Sequence, residues 1–182
     1  MSAVLLAALL AAPAATAAPR PQTVLVIRHA EKPPGDGDPG LGPDGRKRAD
    51  ALPGLFTRPD PFPTPDFVIA AARSKHSNRS AETVAPLAAA LKRDVNAGFG
   101  DDDFARLAAA LLADPRYGGK TVLVCWHHGN IPELLQALGV GPKPRKVDDA
   151  VFDRVWVVTF DRDGKAKLAV RPQALMPTDG RR

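Results

Sequence analysis

Residues Thr23-Val24-Leu25-Val26-Ile27-Arg28-His29 are the most informative segment for the fold, since an unbroken run of aliphatic residues is followed there by two basic ones. Such a run predicts a strand that is covered on both faces of a sheet. The sequence echoes it at Thr121-Val122-Leu123-Val124-Cys125-Trp126-His127-His128, and residues 67–71 form a third apolar run. Open α/β sheets place their ligands at the carboxyl ends of the strands. These runs therefore predict a rim of the sheet that carries histidines.

Helical patterns separate the strands. Apolar residues recur at i, i+3, i+4 and i+7 in residues 84–91 and 104–111, as on the buried face of a helix. A further helix is expected to begin near Asp44. Another is expected to begin with Asn130 as its N-cap and Glu133 completing a capping box.

Near the C-terminus, residues 154–160 and 165–170 flank Asp161-Arg162-Asp163-Gly164, which is a hairpin signal. Strands that alternate with helices predict an α/β fold. We expect a three-layer sandwich with a mostly parallel central sheet, helices on both faces and a C-terminal antiparallel hairpin. Residues 32–43 are rich in Pro and Gly, and a long loop directly after the first strand is often functional.

The composition narrows the classes of function. The chain has 182 residues, a hydrophobic share of 45%, a net charge of +5 and one cysteine, which suits one globular domain. The lone Cys125 excludes an intrachain disulfide and a multi-cysteine metal site. Aromatic residues make up only 5% of the chain, so a stacking platform for nucleic acid is not expected.

The first residues differ from the rest. Residues 1–18 carry no charged side chain, and small residues at Ala15 and Ala17 predict cleavage before Ala18. We therefore expect a signal peptide at residues 1–17, a single domain at residues 18–182, and a periplasmic or secreted protein. The apolar run is broken by Pro13 and is shorter than the ~20 residues that span a bilayer, so no stable membrane anchor is expected.

Basic residues gather next to the predicted strand ends. Arg28 precedes His29, Arg79 opens a predicted helix, and His128-Gly129 precedes another. Guanidinium groups, imidazoles and a helix N-terminus together form a receptor for a tetrahedral dianion. The expected partner is a small phosphorylated substrate.

Four short motifs occur in the order Arg28-His29-Ala30-Glu31, Leu41-Gly42-Pro43-Asp44-Gly45-Arg46-Lys47-Arg48-Ala49, Arg79-Ser80-Ala81-Glu82-Thr83 and His128-Gly129-Asn130-Ile131. Together they resemble the motifs of the histidine phosphatase superfamily, the phosphoglycerate-mutase-like group, in which the second motif is Leu-Thr-x-x-Gly-x-x-Gln-Ala. The chain is similar to the small exported phosphatases of that group.

The resemblance implies a phosphatase in which His29 is the nucleophile and is transiently phosphorylated. Arg28, Arg79 and His128 would bind the phosphoryl group, and neither a metal nor another cofactor is required. A nucleophilic imidazole must be neutral, so we expect one ring nitrogen of His29 to donate to a backbone carbonyl. The two arginines disfavour the imidazolium form.

The second histidine has two candidates. Register with the first strand favours His127, whereas the following glycine favours His128. We prefer His128 and interpret His127 as a pocket residue, together with Lys75 and Asn130.

The general acid is open among Glu82, Asp101, Asp102 and Glu31. Without an acid, the enzyme would favour good leaving groups, such as those of phosphohistidine, acyl phosphate or pyrophosphate.

Two rival functions remain. A metal-dependent hydrolase would use Cys125, His127, His128 and one of the aspartates at positions 101–103. A non-catalytic phosphate-binding envelope protein would keep the arginines and lack turnover.

Overall fold

Six strands form one mixed sheet in a computed structural model of the protein, which describes residues 20–35 and 37–180. The strands are β1 (Thr23–Arg28), β2 (Phe67–Ala71), β3 (Val95–Phe99), β4 (Thr121–Trp126), β5 (Arg154–Phe160) and β6 (Ala166–Pro172). Their order is β3-β2-β4-β1-β5-β6; the first four are parallel, β5 is antiparallel to β1, and β6 is antiparallel to β5. The predicted α/β class, the mostly parallel sheet and the C-terminal hairpin are confirmed.

The predicted signal peptide, residues 1–17, lies outside the described residues. Within them, no helix is long and apolar enough to cross a membrane.

Helices cover both faces of the sheet. They are α1 (Pro43–Phe56), α2 (Arg79–Leu91), α3 (Phe104–Ala113) and α4 (Ile131–Ala137), with a 3₁₀ turn at Pro115–Tyr117. Successive side chains of a strand point to opposite faces, so Leu25 and Ile27 of β1 join the core under α1 and α2. Val24 and Val26 join the core under α3 and α4. β1 is buried on both faces, as its sequence predicts.

Two local features differ from the sequence-based expectations. Strand β3 is not predicted by the apolar pattern, because it is a half-exposed edge strand with a glycine inside it. The prediction of a capping box at the start of α4 is wrong. Asn130 precedes the helix, but its side chain does not cap it, and the carboxylate of Glu133 pairs with Lys143 at 2.7 Å.

The sheet topology places the candidate residues at the carboxyl end of the parallel strands. β1 and β4 are neighbours in register, with Arg28 opposite Trp126, so His29 and His127 leave the sheet at the same level. Arg79 opens α2, which follows β2, and Asp101 follows β3. Because β1 to β4 are parallel, the loops that follow these four strands all begin at the same end of the sheet, the carboxyl end of the strands.

Candidate active site

His29 directly follows the central strand β1 at this carboxyl end of the sheet and is 3% exposed. Its Nδ1–H donates to the carbonyl oxygen of Ala30 at 2.8 Å, which is the hydrogen bond to a backbone carbonyl that a neutral nucleophile is expected to make. With that tautomer, Nε2 keeps its lone pair. Burial lowers the pKa of His29 to about 3, and the charges of Arg28 and Arg79 act in the same direction. His29 is therefore a neutral imidazole at neutral pH with one nitrogen free to react.

Thr83 links the backbone of Ala30, the residue after His29, to the backbone of Arg79. Its Oγ1 accepts a hydrogen bond from the backbone N–H of Ala30 at 2.9 Å. The same hydroxyl donates to the carbonyl oxygen of Arg79 at 2.7 Å. One buried hydroxyl thus fixes the end of β1 against the first turn of α2.

Arg28 is buried beneath the loop that precedes β5. Its Nη1 donates to the carbonyl oxygens of Asp148, Asp149 and Val151 at 3.1, 2.8 and 3.0 Å. The guanidinium carbon lies 3.8 Å from the centroid of the Phe152 ring. Burial lowers the pKa of Arg28 to about 10, so the group stays cationic at neutral pH.

Arg79 faces two neighbouring cavities. Its Nη1 donates to the carbonyl oxygen of Asp38 at 3.2 Å. A cavity of about 420 Å³ is lined by Arg79, Asp101 and His127, with residues of the loop between β2 and α2. A cavity of about 190 Å³ is lined by Arg79 with Lys32, Lys75, His76 and the loop after β1. Lys75 therefore lies at the mouth of the site beside Arg79.

Both histidines that follow β4 lie close to His29. The ring centroids are 5.1 Å apart for His29 and His127 and 6.5 Å apart for His29 and His128. Burial lowers the pKa of each, and the charge of Asp101 opposes the shift at His127. His128 Nε2 lies 2.7 Å from a carboxylate oxygen of Asp149. With that proton on Nε2, His128 donates through Nδ1 only when the ring is doubly protonated.

Three basic side chains around His29 have a buried nitrogen with no hydrogen-bond partner among the described residues: Nε of Arg28, Nε of Arg79 and Nδ1 of His128. Buried polar atoms in proteins are almost always paired. Unpaired nitrogens on three basic groups around one imidazole indicate a site for an oxyanion.

Two of the four candidate acids are engaged elsewhere. The carboxylate of Glu31 forms an ion pair with Arg48 at 2.7 Å. Glu82 accepts a hydrogen bond from the backbone N–H of Leu41 at 2.9 Å, which holds the loop before α1 against α2. Both carboxylates have structural partners that compete with proton transfer.

The loop after β3 provides the other two. The carboxylate of Asp102 is exposed and accepts from Asn130 Nδ2 at 3.1 Å. The carbonyl of Asp101 accepts from Asn130 Nδ2 and from Trp126 Nε1, both at 3.1 Å, so Asp101 is fixed against the turn that carries the histidines. Its Oδ1 is buried and has no hydrogen-bond partner in the described chain. Burial raises the pKa of Asp101, and the charge of His127 opposes that shift.

The ligand set of a metal-dependent hydrolase is not assembled. Cys125 is fully buried in the core under α1 and α2, and burial raises the pKa of its thiol to about 12. Across residues 20–35 and 37–180, no group of three or more His, Cys, Asp and Glu side chains is arranged to hold a metal ion.

Comparison with solved structures identifies the fold. The protein histidine phosphatase SixA, solved with tungstate, superposes with a TM-score of 0.60 at 16% identity, covering 83% of this chain and 97% of that chain. The chain has the histidine phosphatase fold. The mycobacterial glucosyl-3-phosphoglycerate phosphatase, solved with inorganic phosphate, gives a TM-score of 0.61 at 14% identity, covering 85% of this chain and 98% of that chain.

A third structure with the histidine phosphatase fold is the phosphoserine phosphatase of Entamoeba histolytica. Its TM-score is 0.56 at 17% identity, covering 84% of this chain and 98% of that chain. No protein-family model matches the sequence. No curated protein matches it either.

Within this histidine phosphatase fold, sequence reasoning missed the loop of residues 148–152. Asp149 and Phe152 contact His128 and Arg28, yet they lie in an irregular segment with no periodic pattern. Arg48 lies within the second motif, which assigns no role to it. Its position one helical turn before Leu52, on the buried face of α1, is the signal that could have marked it.

Proposed function

We propose that the protein is a metal-independent phosphatase that hydrolyses phosphomonoesters through a phosphohistidine intermediate on His29. The observation that carries the proposal is the state of that side chain. His29 is buried and neutral, its Nδ1 is held by a carbonyl oxygen, and unpaired nitrogens of three basic groups surround it. The likeness to SixA and to two other phosphatases supports the same reaction class.

In the first step, Nε2 of His29 attacks the phosphorus atom, and the bond between phosphorus and the leaving oxygen breaks. Arg28, Arg79 and doubly protonated His128 donate to the phosphoryl oxygens. They hold the group in line and stabilise its charge in the transition state. A bound phosphoryl dianion beside His128 favours the second proton on that ring.

We propose Asp101 as the general acid. Glu31 and Glu82 are engaged, whereas Asp101 has a buried, unpaired oxygen and lines the same cavity as Arg79 and His127. Its raised pKa favours the protonated form that donates to the leaving oxygen. In the second step, a water attacks the phosphohistidine, the carboxylate of Asp101 accepts a proton from it, and inorganic phosphate and free His29 are released.

Hydrolysis of p-nitrophenyl phosphate in EDTA tests the nucleophile. We expect the wild type to turn over and His29→Asn, whose amide can still donate to the carbonyl of Ala30, to be inactive. Trapped phosphoenzyme should appear in the wild type alone. Turnover abolished by EDTA would contradict the proposal, and phosphate binding without turnover on any phosphoester would indicate a phosphate-binding protein.

A matched pair of arginine variants tests the phosphoryl site. Arg79→Lys removes the fork that fits phosphate oxygens and should lower kcat/KM. Arg93→Lys changes an exposed arginine that lines a separate cavity of about 500 Å³ at the amino ends of β2, β3 and β4, and it should leave kcat/KM unchanged. Equal effects of the two changes would contradict a specific role for Arg79.

The leaving group tests the acid. Asp101→Asn should lower the hydrolysis of an alkyl phosphate by roughly 10²- to 10⁴-fold, the usual contribution of general acid catalysis. It should reduce p-nitrophenyl phosphate turnover much less, because nitrophenolate leaves without a proton. A uniform loss across leaving groups would show that Asp101 is not the proton donor.

We also propose that the enzyme acts after export, on the basis of the apolar segment and the small residues before Ala18. Secretion of the natural protein with Ala18 at its N-terminus, read by mass spectrometry, is the expected result. An uncleaved cytoplasmic protein would contradict it.

A further inference from the structure

Arg48 of α1 is a buried cation that the proposed mechanism does not use. It is 2% exposed. Its position corresponds to the glutamine in the second motif of the histidine phosphatase superfamily. Its Nε and Nη2 donate to the carboxylate of Glu31 at 2.7 to 3.1 Å. Its Nη1 and Nη2 donate to the carboxylate of Asp179 at 3.0 and 2.8 Å, and Nη1 also reaches Gln173 Oε1 at 3.2 Å.

One arm of this network holds the residues after the proposed nucleophile. Glu31 lies two positions after His29, and the intervening Ala30 supplies the carbonyl that accepts from His29 Nδ1. The backbone of Glu31 is held as well, because its carbonyl accepts from Gly42 N–H at 2.9 Å. Arg48 therefore anchors the short segment that sets the orientation of the imidazole.

The other arm holds the C-terminal segment, residues 173–180. The carboxylate of Asp179 also accepts from the backbone N–H groups of residues 175 and 176 at 2.8 and 3.0 Å. The next residue, Gly180, donates its N–H to the carboxylate of Asp153 at 2.7 Å. The carbonyl of Asp153 accepts from the N–H of Gln173 at 2.7 Å.

Asp153 connects this arm to the proposed phosphoryl site. It directly follows Phe152, whose ring packs against the guanidinium of Arg28 at 3.8 Å and lies 6.3 Å from the His29 ring. The guanidinium of Arg48 thus joins the segment after the proposed nucleophile to the segment beside the phosphate-binding arginine.

We propose that Arg48 is a positioning residue for phosphoryl transfer, which acts through Glu31 on His29 and through Asp179 and the C-terminal segment on Phe152 and Arg28. The inference rests on the proposed function. A displacement of about 1 Å at a reacting group can lower a rate by roughly 100-fold, so anchoring both segments has a direct effect on rate. A guanidinium suits this position because its fixed planar donors bind each carboxylate through two nitrogens, a geometry that neither a lysine ammonium nor a glutamine amide reproduces.

Three substitutions test the two arms. Arg48→Lys keeps the charge and loses the fork, Glu31→Gln removes the charge on the nucleophile side, and Asp179→Asn removes it on the tail side. Lys47→Gln is the matched control, because Lys47 is the neighbour of Arg48 on α1 and its ion pair with Asp44 is about two-thirds exposed. Circular dichroism and thermal unfolding give the folded fraction of each variant, and every rate is expressed per folded molecule.

We expect Arg48→Lys and Glu31→Gln each to lower kcat for p-nitrophenyl phosphate by about 10- to 100-fold, and Lys47→Gln to match the wild type. Asp179→Asn should raise the inhibition constant of inorganic phosphate, because loss of the Arg48–Asp179 ion pair loosens the packing of the Phe152 ring on the guanidinium of Arg28. If kcat per folded molecule is unchanged in Arg48→Lys and in Glu31→Gln, Arg48 has only a structural role and the proposal is wrong. Should Arg48→Lys fail to fold, Glu31→Gln decides.

A readout that needs no turnover separates this proposal from the proposed function. Long-range ¹⁵N–¹H spectra report which nitrogen of His29 carries the proton. We expect a single Nδ1–H tautomer in the wild type and in Lys47→Gln, and a mixture of tautomers in Arg48→Lys and Glu31→Gln. A His29 ring that is identical in all four proteins would overturn the positioning role, whether or not the protein is a phosphatase.

Discussion

Acid pH should destabilise the wild-type protein more than a variant that lacks the His29 imidazole. Burial lowers the pKa of His29 from 6.5 to about 3. Between those values the unfolded chain takes up a proton that the folded protein does not. The stability that this group contributes is therefore complete above pH 6.5 and is lost as the pH falls toward 3.

The magnitude follows from the shift. Each pKa unit corresponds to about 1.4 kcal/mol, so the full loss is about 5 kcal/mol, and the part lost between pH 7 and pH 4 is about 3 kcal/mol. His29→Asn is the suitable perturbation, because asparagine does not titrate and its amide can donate to the carbonyl of Ala30. The carboxylates and the other histidines titrate in both proteins, so their contributions cancel in the comparison.

The assay is urea unfolding followed by tryptophan fluorescence at pH 7, 5.5 and 4. The free energy of unfolding should fall by about 3 kcal/mol more in the wild type than in His29→Asn between the two extremes. An offset between the proteins at pH 7 reports the substitution itself and does not affect the slope. If the free energy of unfolding has the same pH dependence in both proteins, His29 is not a buried neutral imidazole.

Three further outcomes are expected. Thr83→Val leaves a buried backbone N–H unpaired and should lower the free energy of unfolding by about 1–3 kcal/mol, whereas Thr83→Ser should restore it; equal losses would contradict the hydrogen-bond role. Gly45→Ala should lower Tm, because the added Cβ would lie 2.2 Å from the carbonyl oxygen of Glu31, while Gly54→Ala in the same helix meets nothing within 4 Å and should raise Tm through helix propensity. Cys125, with its buried thiol and a pKa raised to about 12, should react with a thiol reagent only after unfolding, which rapid labelling of the folded protein would disprove.

Most of the fold could be predicted because local patterns encode it. The runs at β1, β2 and β4 are short, continuous and apolar, which is typical of strands that are covered on both faces of a sheet. The edge strand β3 escaped because half-exposed residues and Gly98 weaken the apolar pattern. The parallel order then brings His29, Arg79 and the residues after β4 to one edge, as the motif order indicates.

Local sequence patterns are sufficient to predict the layers of the sheet and the segments that carry the basic groups. Which side chains are neutral, paired or exposed depends on the folded arrangement. It buried His29, engaged Glu31 with Arg48, and left an oxygen of Asp101 without a partner. Charge state and pairing depend on groups that are distant in the sequence, because the carbonyls that surround Arg28, for example, lie more than a hundred residues away along the chain. Periodicity reports only which face of an element is buried, so it carries no information about such partners.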